Sequence, residues 1–345
     1  MPSSKASNAI LAKARAMYGK CLKDTDYQQL SDCKTVAEVA AYLKNRTNYG
    51  AALAGLNEND IHRGQLEPIL RQNLYYDVAA LSRYATENSL EVSDFFISRM
   101  EISQIIRCLT LVSIGKPEEY IYSLSLSLDK FTKINLKALT KVRSYDDILD
   151  VLSNTKYYQV LKKFRPEREQ RIRIAEIEIA LNNLNYASVL SAISKSGSSR
   201  DKQELTDLFH ATLDFTNIAR IIRLKKYYKF TAERIKPLLI PYGRLKPSVI
   251  DSFCKAESVN EVFEISRSTY LGKLMSGLQY NDQTQITEVL ISMYCKHHLR
   301  LSPNPTIVMI SYIYLKETEL NNIVNIIEGT RYGISADEKK KLLVR

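Results

Sequence analysis

Apolar residues along this chain recur with the spacing of α-helices. Leu205, Leu208 and Phe209 stand three or four positions apart, and Ile218 and Ile222 repeat that spacing further on, which places each set on one helix face. No segment shows the strict alternation of apolar and polar residues that predicts a β-strand. Glycine and proline, which interrupt helices, number only 11 and 9 in 345 residues. The sequence therefore predicts an all-α protein.

A motif consisting of an acid, an amide three residues later and then isoleucine occurs three times. Its copies begin at Glu101, Asp214 and Glu319. A second motif lies upstream in each copy. It begins with an acid in an apolar segment and continues with a hydroxyl residue, a tyrosine and a leucine, whose mutual spacing is the same in all three copies. Its copies occupy residues 36–53, 145–161 and 259–274. Two independent motifs in the same order at about the same period predict a triplication.

A glutamate recurs between these motifs, at Glu67, Glu178 and Glu288. The repeating unit of about 110 residues is longer than solenoid repeats, which run to roughly 34–47 residues. Each copy is therefore expected to form a helical lobe of its own. The predicted lobes cover residues 1–123, 124–231 and 232–345.

The net charge of +11 favours an anionic partner, although the 49 basic residues are scattered among 38 acidic ones. The densest basic run, residues 162–173, is diluted by Glu167 and Glu169. A basic helical-repeat protein that binds nucleic acid is thus an alternative, but the chain contains no known nucleic-acid-binding motif. An ordinary solvated surface explains the charge equally well.

The cysteines are widely spaced and none forms a Cys-x-x-Cys pair, which fits a reducing compartment and predicts neither disulfides nor a zinc site. They are Cys21, Cys33, Cys108, Cys254 and Cys295. The N-terminal residues lack the continuous apolar core of a signal peptide. The longest apolar stretches, such as residues 307–315, are short of the roughly 20 residues that span a bilayer. Any membrane association is therefore expected to be peripheral.

Motifs of catalysis and cofactor binding are missing from the sequence. Gly50 and Gly55 have the spacing of a phosphate-binding Walker loop, but Leu56 follows where the loop needs lysine. The adjacent His297 and His298 point about 100° apart on a helix and so are poorly placed to share a metal ion. We expect no enzymatic activity, no cofactor and no bound metal.

Two interpretations of the repeated glutamates remain open. They lie either on solvated helix faces or toward the axis of a closed, tripled body. In the second case Glu67, Glu178 and Glu288 would meet in a polar socket with three arginines, because buried charges must be paired or hydrated. These arginines are Arg107, Arg220 and Arg223.

Ordered segments along nearly the whole chain resemble a known family. They are Asn8–Met17, residues 36–49, residues 61–67, residues 238–245, and the closing run from Glu319 through Gly329 to Gly333. The chain resembles the C subunit of archaeal-type and bacterial rotary V/A-ATPases, which is similar to the d subunit of the eukaryotic vacuolar ATPase. One departure is that the second copy lacks the Ile-Pro-x-Gly segment and keeps only residues 123–128 there.

The resemblance implies a funnel-shaped, all-helical body of three lobes with pseudo-threefold symmetry. It implies a non-catalytic part of the central stalk at the cytoplasmic face of the membrane. The expected partners are the membrane rotor ring and the D and F proteins of the stalk, within a complex that also contains A, B and a subunits. It implies that the chain binds neither nucleotide nor nucleic acid and couples ATP turnover to the movement of protons or sodium ions.

Overall fold

The computed structural model describes residues 4–57, 61, 63–84, 87–123, 132–167, 170–195, 199–272 and 286–344. Every regular element in these ranges is a helix, which confirms the all-α prediction. Leu274 of the second motif and the segment 124–128 lie outside the described residues. None of the described helices combines the length and the apolar character needed to cross a bilayer.

Six long helices form three successive pairs, one pair for each copy of the repeat. They are α5 (Arg63–Ser82), α6 (Glu87–Ser113), α11 (Ile174–Lys195), α12 (Ser199–Tyr228), α16 (Ile286–Leu301) and α17 (Pro305–Arg331). The repeated acids Glu101, Asp214 and Glu319 lie on the second helix of each pair, and Glu67, Glu178 and Glu288 lie on the first.

Shorter helices surround these pairs. Those of the first copy are α1 (Ser4–Tyr18), α2 (Asp24–Asp32), α3 (Val36–Arg46), α4 (Gly50–Leu53) and α7 (Tyr120–Ser123). The later ones are α8 (Leu136–Leu139), α9 (Tyr145–Val151), α10 (Tyr158–Lys163), α13 (Ala232–Ile235), α14 (Pro247–Lys255), α15 (Val259–Arg267) and α18 (Ala336–Lys341). Two 3-10 turns cover Pro117–Glu119 and Lys236–Leu238.

The upstream motif starts a helix in the same way in each copy. The side chains of Thr35, Ser144 and Ser258 accept hydrogen bonds from the backbone N–H three residues later. The acid at that third position reaches back to the N–H of Lys34, Arg143 or Glu257, at 2.7–2.8 Å. These reciprocal bonds satisfy donors that a helix start leaves unpaired. They place the acids Glu38, Asp147 and Glu261 in first turns, near the positive end of the helix dipole.

The buried apolar residues form three clusters. The first draws on residues 10–96, 186–213 and 295–343, with Ile240, so it unites the two ends of the chain. The second lies within 102–181 and the third within 211–290. The second and third clusters therefore cross the predicted lobe boundaries after residues 123 and 231. The division into three lobes at residues 1–123, 124–231 and 232–345 stays a prediction.

Helix packing also joins neighbouring sequence copies. The acid-bearing helix of one copy packs against the glutamate-bearing helix of the next: α6 against α11, α12 against α16, and α17 of the last copy against α5 of the first. Helix α17 also contacts α1, α2, α3, α6, α12, α16 and α18. Its residues 306–316 are all buried, as expected of a helix surrounded by others.

Candidate functional site

Each repeated acid is buried on its long helix and accepts a hydrogen bond from a distant tyrosine hydroxyl. The donor is always the tyrosine of the upstream motif, and the bonds are Tyr157 to Glu101 (2.5 Å), Tyr270 to Asp214 (2.7 Å) and Tyr49 to Glu319 (2.7 Å). We call these three contacts the acid–tyrosine junctions. They connect the two repeated motifs that the sequence displays separately.

The three junctions close in a cycle. The tyrosine of the second copy bonds to the acid of the first, and the tyrosine of the third bonds to the acid of the second. The tyrosine of the first copy, Tyr49, bonds to Glu319 of the third. The two internal junctions each join residues 56 positions apart, whereas Tyr49 and Glu319 are 270 apart. The last junction is thus made by the two ends of the chain.

Backbone groups complete the binding of each acid. Glu101 accepts the N–H of Lys133 at 2.5 Å, and Glu319 accepts the N–H of Leu22 at 2.6 Å. Asp214 accepts the N–H groups of Arg244 and Leu245 at 2.9 and 3.1 Å, on the same oxygen that receives Tyr270. A buried carboxylate is energetically costly unless it is hydrogen-bonded. Each acid therefore holds the backbone of its N–H donors in place, and these donors belong to the segment that leads into the next copy.

The repeated amide performs a similar task in the last two copies. Asn217 pairs with both the N–H and the C=O of Ile240, at 3.0 and 2.8 Å. Asn322 makes the same two-way pair with Val344, at 2.8 Å for each bond. In the first copy, Gln104 instead accepts the hydroxyl of Tyr120 at 3.0 Å. The acid and the amide together hold other chain segments against the long helix.

The junctions differ in their charge partners. Lys316, which has no exposed surface, places Nζ 2.5 Å from Glu319 Oε1 and 4.2 Å from the centre of the Tyr49 ring. Burial, with a further contribution from the charge of Glu319, raises the pKa of Tyr49, so its hydroxyl stays a donor. At the first junction, Lys156 donates to Ser98 at 2.5 Å, and burial lowers the pKa of Lys156 despite the nearby Glu101.

The Asp214 junction has a different composition. Its Oδ1 is buried and makes no hydrogen bond among the described residues. A side-chain carbon at Gly243 would come 1.8 Å from this oxygen, so the position must remain glycine for the loop to approach. Burial raises the pKa of Asp214, and its hydrogen bond from Tyr270 opposes the shift. The carboxylate borders a cavity of about 310 Å³ that also contacts Lys236 and Asp251.

The predicted socket residues occupy several environments. Glu178 lies near Arg220, since its charge opposes the lowering of the Arg220 pKa that burial causes. Arg220 also donates to Leu238 O at 2.6 Å, and the positive charge of Arg223 acts on it from nearby. Glu178, Arg220 and Arg223 therefore lie close enough for their charges to influence one another.

The remaining socket residues are placed separately. Glu67 is half-buried and pairs with Arg71 one helical turn later, at 2.9 Å. Glu288 is exposed on α16, and Arg107 is exposed on α6. The idea that all six residues share one socket stays a prediction.

Sequence reasoning found the repeated acids and tyrosines but not their pairing across copies. The sequence did contain a sign of this pairing, because polar residues that recur at fixed spacing need hydrogen-bond partners if they are buried. As for metals, the described part of the chain contains no group of three or more side chains suited to hold one. All five cysteines are free thiols, and three of them are buried.

Comparison with known proteins gives one consistent result. A family model described as ATP synthase (C/AC39) subunit matches residues 10–342. The C subunit of the A-type ATP synthase of Methanosarcina mazei is 25% identical over 342 residues, covering 97% of this chain and 91% of the relative. The proteins of the same name from Pyrococcus abyssi and Methanosphaera stadtmanae are 21% and 24% identical, each over 96% of this chain and 88% and 86% of their own lengths. The chain therefore belongs to the ATP synthase (C/AC39) subunit family.

Proposed function

We propose that this chain is a non-catalytic rotor subunit of an A-type or V-type ATPase. It joins the soluble central stalk, formed by the D and F proteins, to the membrane rotor ring on the cytoplasmic side. It thereby couples ATP turnover in the A and B subunits to the movement of protons or sodium ions between the ring and the a subunit. Family membership over residues 10–342 and relatives named as the C subunit of A-type ATP synthases support this assignment.

The cycle of acid–tyrosine junctions is the observation that carries the mechanical part of the proposal. A protein that transmits torque must not shear between its parts. Each junction joins a long helix to the following copy through a buried charged hydrogen bond, and such bonds are stronger than neutral ones. Because the chain ends supply the last junction, the cycle leaves no open seam at which the copies could separate.

We further propose that the three copies form three lobes around a pseudo-threefold axis, as a funnel. A head-to-tail contact that repeats and closes generates a rotationally symmetric ring. The centre of such a body is a natural seat for the end of a shaft. The socket proposed for the stalk consists of Glu67, Glu178, Glu288, Arg107, Arg220 and Arg223, with polar complementarity fixing the register of the partner.

Reconstitution tests the coupling role. Membrane vesicles with the complete ATPase, and vesicles whose complex lacks only this chain, are compared for ATP hydrolysis and ion uptake. We expect the incomplete complex to lose ATP-driven ion uptake, and the purified chain to restore it. Ion uptake that proceeds equally well without the chain would contradict the proposal, as would ATP hydrolysis by the purified chain alone.

Replacing the three glutamates by glutamine tests the socket separately. The variant Glu67→Gln/Glu178→Gln/Glu288→Gln is expected to bind the D–F stalk more weakly, or to allow hydrolysis without transport. A matched control replaces three exposed glutamates elsewhere, Glu167, Glu257 and Glu264, by glutamine. Unchanged stalk binding and unchanged coupling in the first variant would reject the socket and leave the family assignment intact.

A further inference from the structure

The three acid-bearing helices end in the same way. In each, the carbonyl ten residues after the acid accepts a backbone N–H from beyond the helix end. These bonds are Lys116 to Leu111 (2.9 Å), Phe230 to Leu224 (3.3 Å) and Ile334 to Gly329 (2.8 Å). A residue with positive φ lies one or two positions beyond each helix: Gly115 at 74°, Lys229 at 54° and Gly333 at 68°. This left-handed turn satisfies carbonyls that the helix end leaves open.

A large apolar residue is exposed at the same repeat position in all three helix ends. Ile114, Tyr227 and Tyr332 each follow the repeated acid by thirteen residues, and their exposed fractions are 59%, 56% and 68%. The turn geometry exposes this position but does not require it to be apolar. A polar residue would serve the turn equally well, so the turn does not explain the apolar choice in three copies.

Other exposed apolar residues lack this pattern. Tyr76, Met293 and Leu301 are 46%, 44% and 68% exposed, but they occupy unrelated positions of the repeat. Single exposed apolar residues are ordinary on protein surfaces. Recurrence at one position of the sequence repeat is what separates the helix ends from that background.

Cations accompany the exposed residues. Lys226 Nζ lies 5.4 Å from the centre of the Tyr227 ring, and Arg331 Cζ lies 5.4 Å from that of Tyr332. Lys116 follows Ile114 by two residues and is ion-paired with Glu119 at 3.0 Å. An exposed apolar side chain beside a cation is complementary to a protein surface that offers an apolar recess next to a carboxylate.

We propose that Ile114, Tyr227 and Tyr332, with Lys116, Lys226 and Arg331, form a three-point docking surface for a ring-shaped protein partner. The partner repeats an apolar recess beside a carboxylate around its axis. The closed cycle of junctions is the relation that a threefold rotation generates, and a rotation places equivalent residues at one height and one distance from its axis. This inference rests on the proposed function, in which the partner is the membrane rotor ring.

A protein ring fits these observations better than an anionic bilayer. Binding to a bilayer depends on total apolar area and total positive charge, and not on the recurrence of single residues at one position of a repeat. The surface therefore fits a structured protein partner.

Co-sedimentation of the purified full-length chain provides the test. One probe is membrane vesicles that retain the membrane sector but have been stripped of stalk, headpiece and their own copy of this chain. The other is protein-free vesicles of phosphatidylcholine and phosphatidylglycerol. The variant Ile114→Ser/Tyr227→Ser/Tyr332→Ser is expected to bind the sector-containing vesicles at least about tenfold more weakly than wild type, because apolar anchors dominate interface energies. The control Tyr76→Ser/Met293→Ser/Leu301→Ser is expected to bind as wild type does.

Two further measurements keep the test decisive. Binding of the D–F stalk and far-ultraviolet circular dichroism are expected to be unchanged in the first variant. A second variant, Lys226→Glu/Arg331→Glu, keeps the apolar residues and is expected to weaken binding to the sector-containing vesicles as well.

The outcomes separate the inference from the function on which it rests. Wild-type chain that ignores the sector-containing vesicles would overturn the proposed function and the inference together. Full binding by both helix-end variants would overturn the inference alone. Equal wild-type binding to the protein-free vesicles would assign the surface to the bilayer and so contradict the protein partner.

Discussion

The Glu319 and Asp214 junctions share one motif and differ in how their carboxylates are stabilised. Glu319 lies against the fully buried Lys316, and its two oxygens receive the Lys316 ammonium, the Tyr49 hydroxyl and the Leu22 N–H. Asp214 receives three donors on one oxygen, while the other oxygen has no hydrogen bond among the described residues.

The difference follows the position of each junction in the chain. Tyr157 and Tyr270 lie 56 residues from their acids, so closing those loops costs relatively little conformational entropy. Tyr49 and Glu319 are 270 residues apart, so nothing local keeps the chain ends together. The strongest charge pairing occurs where the fold depends most on a long-range contact. All three copies thus keep one hydrogen-bond geometry, while the charges around each junction differ from copy to copy.

Removal of the Lys316 charge is expected to have the largest effect. Lys316→Met leaves Glu319 buried beside Tyr49 without its cation, and breaking a buried pair in this way costs about 3–5 kcal/mol. Urea denaturation of the full chain measures the loss. The double variant Lys316→Met/Glu319→Leu is expected to lose less than Lys316→Met alone, since it removes the uncompensated charge. A Lys316→Met chain as stable as wild type would show that the pair does not hold the chain ends.

The tyrosine hydroxyls are expected to have smaller effects that differ between junctions. Tyr157→Phe removes the hydroxyl that donates to Glu101 Oε2, at a cost of about 1.5–3 kcal/mol for a hydrogen bond to a charged group. Tyr270→Phe should cost less, because Asp214 keeps its bonds from Arg244 and Leu245 on the same oxygen. The same urea titration ranks the two variants, and a reversed order would contradict this account of the junctions.

The smallest expected effect concerns pH. Burial raises the folded-state pKa of Asp214 above its ordinary value of 3.8, so the folded chain holds this proton more tightly than the unfolded chain does. The resulting stabilisation is complete below pH 3.8 and is lost as pH rises through the folded-state pKa. Asp214→Asn should remove this component, so its stability should fall less than that of wild type over the same rise. Parallel pH profiles of the two chains would show that Asp214 titrates normally.

Local features of the fold were predictable from the sequence, and long-range ones were not. The helical spacing around Leu205 and the first-turn acids Glu38, Asp147 and Glu261 depend on neighbours within four residues, so the sequence reveals them. The acid–tyrosine junctions depend on pairing between copies, which periodicity within one copy cannot show. The same limit applies to the proposed socket, because the influence of the Glu178 charge on Arg220 acts between two helices.

The buried Lys316 shows another limit of sequence reasoning. Lysine is almost always exposed, and its position within the apolar face of α17 gives no sign of an ion pair. Its partner Glu319 is only three residues away, but that spacing is equally common on solvated helix surfaces. Only packing by α1, α3 and α5 around α17 makes the pair an internal one.

We propose that the closed cycle of junctions transmits torque without shear. The most direct test is the number of ions transported per ATP hydrolysed by the reconstituted complex carrying Tyr49→Phe/Tyr157→Phe/Tyr270→Phe. Circular dichroism and the stoichiometry of the assembled complex verify that the variant chain is folded and incorporated. We expect continued hydrolysis with fewer ions transported per ATP, and a growing deficit as the opposing ion gradient increases. An ion-to-ATP ratio equal to that of wild type at every gradient would contradict it.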